Sequence, residues 1–208
     1  ARKLSNAQST VPLYHVSLDV DVGAAMASLT ASPQDAVGTI NDLILVAVQH
    51  ALLGQPELNK TFDGERITSI TGQPVSLAVA TENHVVFAPV VQTTVETPFA
   101  ELVAQTRDLI GRTRAGQIRA EDAAPAAITI SNLGMYGVSA FTAMVTPPQV
   151  MVLSVGAIRR VPAFDAQGAV VAQSIMTLTL GSDHRVINGA QAATFLGAIA
   201  QWLQQASS

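Results

Sequence analysis

An α/β fold built of packed layers, rather than a regular doubly wound sheet, is what the pattern of this chain predicts. Apolar residues recur every second position in some runs and every third or fourth in others, the two periods of strands and helices. The two kinds of run do not alternate one for one, as a doubly wound sheet would require. A hydrophobic content of 49% in 208 residues supports one substantial core. No internal repeat or low-complexity linker divides the chain, so a single domain over residues 1–208 is expected.

The elements follow in order. Tyr14, Val16, Leu18 and Val20 alternate with His15, Ser17, Asp19 and Asp21, which predicts a half-buried strand with the first set inward. Ile40, Leu43, Ile44, Ala47, Val48, Ala51 and Leu52 carry the helical period, with Thr39 as N-cap and Asp42 three positions later in the capping-box place. Strands are expected over Val75–Ala80 and Val85–Val91. Thr97-Pro98 then starts a helix that turns Phe99, Leu102, Val103, Thr106, Leu109 and Ile110 to one side. Three more strands are read at Ala127–Ser131, Val150–Val155 and Val170–Leu180. Gly189–Gln204 closes the chain as a helix with Phe195, Leu196, Ile199, Trp202 and Leu203 inward.

Composition narrows the function. A net charge of -4 gives no basic footprint for nucleic acid. Arg107, Arg112, Arg114 and Arg119 do fall close together, and read as a solvated helix face, with phosphate contact as the alternative. Only 12% of residues are charged, which leaves surface for subunit contacts. Without cysteine there is no disulfide framework, thiolate metal site or cysteine nucleophile. No histidine pair has zinc-ligand spacing with a carboxylate helper, and neither a P-loop nor a dinucleotide glycine fingerprint is present. Met135, Met144, Met151 and Met176 read as fillers of core or channel gaps. No apolar stretch reaches the roughly 18 residues of a membrane span, and Ala1-Arg2-Lys3-Leu4-Ser5 lacks a signal-peptide core, so a soluble, intracellular protein without membrane partners is expected.

The chemistry concentrates in Ser182-Asp183-His184-Arg185-Val186-Ile187-Asn188-Gly189-Ala190, between an alternating run and the last helix. A side chain at such a junction can face a cleft while rigid elements hold its backbone. The His184-x-x-x-Asn188-Gly189 spacing alone leaves two readings open, hydrogen-bond satisfaction and general-base catalysis. His15, His50 and His84 sit on a strand's polar side, in a helix and near a turn, and read as structural or surface residues.

Taken with Ile128-Thr129-Ile130-Ser131-Asn132-Leu133-Gly134-Met135-Tyr136-Gly137 and Pro147-Pro148-Gln149, this segment resembles the catalytic domain of the dihydrolipoamide acyltransferases of 2-oxo acid dehydrogenase complexes. Supporting matches are Asn41-Asp42-Leu43-Ile44, Pro56-Glu57-Leu58-Asn59 and Leu178-Thr179-Leu180, in the same order. The resemblance runs over nearly the whole chain. It implies a chloramphenicol-acetyltransferase-like two-layer α/β sandwich with a mixed sheet, assembled as trimers. It also implies acetyl transfer between dihydrolipoamide and coenzyme A, these two serving as substrates rather than as resident cofactors, with no metal. Among the family's types the pyruvate type fits best; a succinyl or branched-chain transferase and a mainly structural core subunit are the alternatives.

Carried over by position, His184 matches the family's catalytic histidine, Ser131 the hydroxyl that supports the oxyanion, and Asn188 a place where aspartate is usual. The implied site lies between subunits, His184 of one facing Ser131 of the next. Two departures are visible: Pro12-Leu13-Tyr14 stands where the family has Pro-His-Phe, and the segment Asn83 to Val90 is one residue longer. No coenzyme A contact residue is assigned. Lys3 and Lys60 are the only lysines, and neither has an Asp-Lys-Ala setting. A lipoyl domain and a peripheral-subunit-binding domain are therefore expected outside this chain, which reads as the excised core of a longer polypeptide. The implied partners are a homotrimer that stops there or builds a larger particle, the lipoyl domain, and the 2-oxo acid decarboxylase and dihydrolipoamide dehydrogenase components. The implied compartment is the cytoplasm of a bacterium or the mitochondrial matrix of a eukaryote.

Overall fold

A computed structural model describes residues 11–31, 38–81 and 85–205. Its centre is a six-stranded mixed sheet in the order β1-β10-β9-β8-β4-β7. These strands are β1 (Leu13–Asp21), β4 (Val75–Leu77), β7 (Val90–Val91), β8 (Ile128–Asn132), β9 (Met151–Phe164) and β10 (Val170–Asp183). β8 runs parallel to β4 and β9, and the other neighbours are antiparallel. Two short hairpins stand apart, β2 (Lys60–Phe62) with β3 (Ile67–Ser69), and β5 (Val79–Ala80) with β6 (Val86–Phe87).

The period-two pattern explains the layering. Met151, Leu153 and Val155 of β9 join Met176, Leu178 and Leu180 of β10 in the core, while the residues between them, Ser154 and Thr179, lie on the other face. On the core side lie four helices, α1 (Gly23–Ala31), α2 (Ile40–Gly54), α3 (Phe99–Arg114) and α4 (Gly189–Gln205), which touch one another and the sheet. This is the expected two-layer sandwich. α2 is buried nearly all round, as a central helix must be, with Ile44, Leu45, Ala47 and Val48 fully covered. Its N-terminus behaves as predicted: the Asp42 carboxylate accepts from the Thr39 N–H and the Thr39 hydroxyl, each at 2.7 Å. The Thr106 hydroxyl of α3 donates to the same carboxylate at 2.8 Å, so one buried acid joins two helices.

Several expected elements differ in detail. Val75–Ala80 is not one strand: β4 stays in the main sheet, and β5 leaves to pair with β6. Val85–Val91 breaks at Ala88-Pro89, where proline brings no N–H and offers only its carbonyl, to Leu77. β9 runs on past Val155 to Phe164, and β10, which starts at Val170 as expected, continues past Leu180 to Asp183; Phe164 and Val170 are exposed. Leu18, expected inward, is exposed because β1 is an edge strand with one neighbour only. Trp202 is half-buried and stacks on exposed His50 at 5.6 Å. Of the methionines, Met151 and Met176 fill the core, whereas Met135 and Met144 are exposed. α1 and the β2–β3 hairpin were not anticipated. The hairpin turn did carry a signal, Asp63-Gly64, where Asp63 accepts from the Glu65 and Arg66 N–H groups and Gly64 has φ +108°.

The motifs that carry the resemblance do structural work at long range. Gln149 bridges two parallel strands, accepting from the Thr129 hydroxyl of β8 and donating to the Ser76 hydroxyl of β4 at 2.8 Å. Asn59 donates to the carbonyls of Ile70 and Gly72 at 3.0 and 2.7 Å. Asn132 donates to Asn41 at 2.6 Å and accepts from the Gly134 N–H at 2.7 Å, tying the end of β8 to the start of α2.

Candidate active site

His184 sits in the turn between β10 and α4, and the backbone there is pinned from several directions. Its own N–H donates to the Pro12 carbonyl at 3.0 Å, and the Val186 and Ile187 N–H groups donate back to Asp183. The Asp183 carboxylate is buried and accepts from the Arg185 side chain, Nη2 at 2.7 Å and Nε at 2.9 Å, and from the Arg185 N–H at 3.0 Å. The side-chain bonding raises the pKa of the Arg185 guanidinium above its ordinary value. The guanidinium lies 4.8 Å from the centre of the Phe62 ring. The His184 side chain is exposed, and among the described residues neither ring nitrogen bonds to another residue. Its one close neighbour is the ring of Tyr14, at 4.4 Å between centroids and tilted by 47°. Burial pushes the Tyr14 phenol up, and the nearness of Ser182 opposes this more weakly. Tyr14 is therefore a neutral neighbour, not a base.

Asn188 makes its hydrogen bonds at the start of α4. Its Oδ1 accepts from the Gln191 N–H at 2.9 Å, while the Gln191 Oε1 accepts from the Asn188 N–H at 3.0 Å. This reciprocal pair caps α4, and the Asn188-x-x-Gln191 spacing was the signal for it.

Ser131 lies elsewhere. It lies next to the end of β8 in a cleft of about 240 Å³ lined also by Asn41, Ala78, Arg114, Met135 and Tyr136. β8 and β10 point in opposite directions, so their C-terminal ends, with Ser131 and His184, lie toward opposite ends of the sheet's strands. Ser131 and Thr179 share one row through Ser154, and Asp183 is four residues farther along β10. At least about 13 Å along the strands and about 10 Å across them therefore separate the two candidates. The fold brings His184 and Asn188 to one place and keeps Ser131 from both.

In the arginine cluster, Arg112 is locked between Asp122 at 2.6 Å and Asp108 at 2.7 Å, which fits neither the solvated-face nor the phosphate reading. Arg119 pairs with Glu121 at 3.4 Å, and Arg114 faces the Ser131 cleft. His15 is exposed and packs over Gly181, and His84 lies outside the described residues. Among the described residues no three His, Asp or Glu side chains could together hold a metal ion, and no helix is long and apolar enough to cross a membrane.

Comparison with known proteins settles the family. The model of the 2-oxoacid dehydrogenases acyltransferase catalytic domain matches residues 1–208. The chain belongs to this acyltransferase family. It is 29% identical, over 95% of its length and 46% of the relative's, to the dihydrolipoyllysine-residue acetyltransferase component of the pyruvate dehydrogenase complex of Zymomonas mobilis. The chain thus spans about half the length of the curated relatives it matches. A solved dihydrolipoamide acetyltransferase from Azotobacter vinelandii, studied for the role of a serine, a histidine and an asparagine in its catalytic mechanism, superposes with a TM-score of 0.91 at 26% identity, covering 99% of this chain and 86% of that one. A chloramphenicol acetyltransferase covers 97% of the chain and 94% of its own at a TM-score of 0.62 and 15% identity, a likeness of fold. The acyltransferase family and the sandwich expected from the sequence are both borne out.

Proposed function

We propose that this chain is the acetyltransferase core of a 2-oxo acid dehydrogenase complex of the pyruvate type, moving an acetyl group between dihydrolipoamide and coenzyme A. The observation that carries the reading is the placement of His184, Asn188 and Ser131. They are the residue types studied in the Azotobacter enzyme, in the same order and with the same interval of four between histidine and asparagine. Here the first two share one accessible half-site and the serine lines the other.

The site forms between neighbouring copies in a trimer. His184 takes the proton of the coenzyme A thiol as the sulfur attacks the thioester carbonyl of acetyl-dihydrolipoamide. The neighbour's Ser131 donates to the tetrahedral oxyanion. Collapse breaks the bond to the lipoyl sulfur, and the leaving thiolate recovers the proton from the imidazolium. Ionising a thiol of ordinary pKa costs only about 2 kcal/mol at neutral pH, so the rest of the acceleration falls to alignment and the oxyanion donor. Asn188 fixes the start of α4, and with it the turn that carries His184. The lipoyl group arrives on a domain outside this chain, with the decarboxylase and dihydrolipoamide dehydrogenase components as the wider partners. The compartment is the bacterial cytoplasm or the mitochondrial matrix.

The test is turnover of acetyl-, succinyl- and isobutyryl-coenzyme A with free dihydrolipoamide. Acetyl should lead, and His184→Ala should reduce the rate by roughly 10²- to 10⁴-fold without loss of fold. Faster turnover of another acyl group would replace the pyruvate assignment. No turnover with any of the three would leave a structural core subunit.

A further inference from the structure

We propose that Tyr14 is the positioning residue that aims the His184 imidazole, an inference that rests on the acyl-transfer reading above. A histidine that moves a proton usually owes its orientation to a hydrogen bond on its second ring nitrogen, from a carboxylate or a carbonyl. Here the nearest carboxylate, Asp183, is taken up by Arg185 and by the Arg185 N–H. Neither His184 nitrogen bonds to another described residue. What touches the imidazole is the Tyr14 ring, 4.4 Å between centroids.

The contact is built into the sheet register. Leu13 pairs with Asp183 and Tyr14 with Ser182, so β1 delivers the Tyr14 ring beside the residue that follows the strand end. The His184 N–H bond to Pro12 closes the turn onto the same strand. With the backbone held there and by the Asp183–Arg185 pair stacked on Phe62, the remaining freedom of His184 is rotation about its side-chain bonds. Tyr14 limits that rotation. It is itself anchored, packed against the core with its hydroxyl covered. That hydroxyl and the fully buried Ser182 hydroxyl make no hydrogen bond of regular geometry. The ring, not the hydroxyl, is what Tyr14 contributes.

The experiment uses the assembled protein with Tyr14→Phe, which keeps the ring, and Tyr14→Met, which keeps apolar bulk without it; Tyr14→Leu replaces the latter if it does not assemble. Steady-state transfer from acetyl-coenzyme A to dihydrolipoamide should show kcat down on the order of ten- to a hundredfold in the ringless variant, the cost of a misplaced reacting group, with both KM values within about twofold. Tyr14→Phe should restore kcat to within about twofold of the parent. A merely structural role would not give this split together with the rescue. Unchanged kcat in the ringless variant, or a Phe variant as slow as the ringless one, overturns the proposal. A second readout needs no activity: in the spectrum of histidine-labelled protein the His184 ring protons should carry an upfield shift from the Tyr14 ring that persists in Tyr14→Phe and vanishes without the ring. If the parent transfers no acyl group, the functional reading fails alone, and this shift still decides whether Tyr14 orients His184.

Discussion

Refolding an equal mixture of His184→Ala and Ser131→Ala subunits should restore activity that neither variant has by itself. The sheet register places His184 and Ser131 toward opposite ends of the strands, at least about 13 Å apart along them and about 10 Å across, so a site that uses both takes its histidine from one copy and its serine from the next. An interface is intact when the Ser131→Ala subunit supplies the histidine and the His184→Ala subunit supplies the serine. Random assembly makes that pairing at about one interface in four of a cyclic trimer. The background is low, since losing one oxyanion donor costs on the order of 10²-fold and losing the base as much or more. Recovery should thus reach about a quarter of parental turnover against a background near one per cent. The assay is acetyl transfer to dihydrolipoamide before and after joint denaturation and refolding, with each variant refolded alone as control. Recovery no greater than the controls, in mixed trimers verified by native mass, would refute the shared site.

Ser131→Ala alone should lower kcat by about 10²-fold with KM little changed, and a pure KM effect would make Ser131 a binding residue. Asn188→Asp keeps an acceptor for the Gln191 N–H and should retain substantial activity, whereas Asn188→Leu loses the cap, costing about 1 kcal/mol of stability by thermal denaturation together with much of the turnover. Equal melting temperatures for the two would show that the cap contributes nothing. Gly156→Ala should fail to fold or melt far lower, because its Cβ would stand 2.0 Å from the Ser139 carbonyl oxygen; a normal melting curve would disprove that packing.

Local order made much of this molecule legible. α2, α3 and α4 follow from three-and-four spacing with Thr39, Pro98 and Asn188 at their starts, because a helix closes its hydrogen bonds within a few residues. β1, β8 and the buried parts of β9 and β10 follow from alternation, because one face meets the core. That signal fades where burial does: the outer half of β9 is exposed and shows no apolar–polar alternation that could mark its length, although β10 is legible from Val170 onward. α1 was missed because its Gly-Ala-Ala-Met-Ala-Ser-Leu-Thr-Ala run has little contrast between faces.

The site divides in the same way. The sequence by itself marked the His184 and Ser131 segments and their local form, since both are contiguous motifs, and a strand, a turn and a helix start are local structures. Only the tertiary structure decided how they stand to one another. Tyr14 reaches His184 from 170 positions away, through a pairing of β1 with β10 that no local pattern encodes. The separation of Ser131 from His184 likewise depends on β8 and β10 running in opposite directions on either side of β9. Strand order and direction are settled by non-local hydrogen bonds and by burial of the shared core, and that is why no contiguous motif records how far apart the two segments stand.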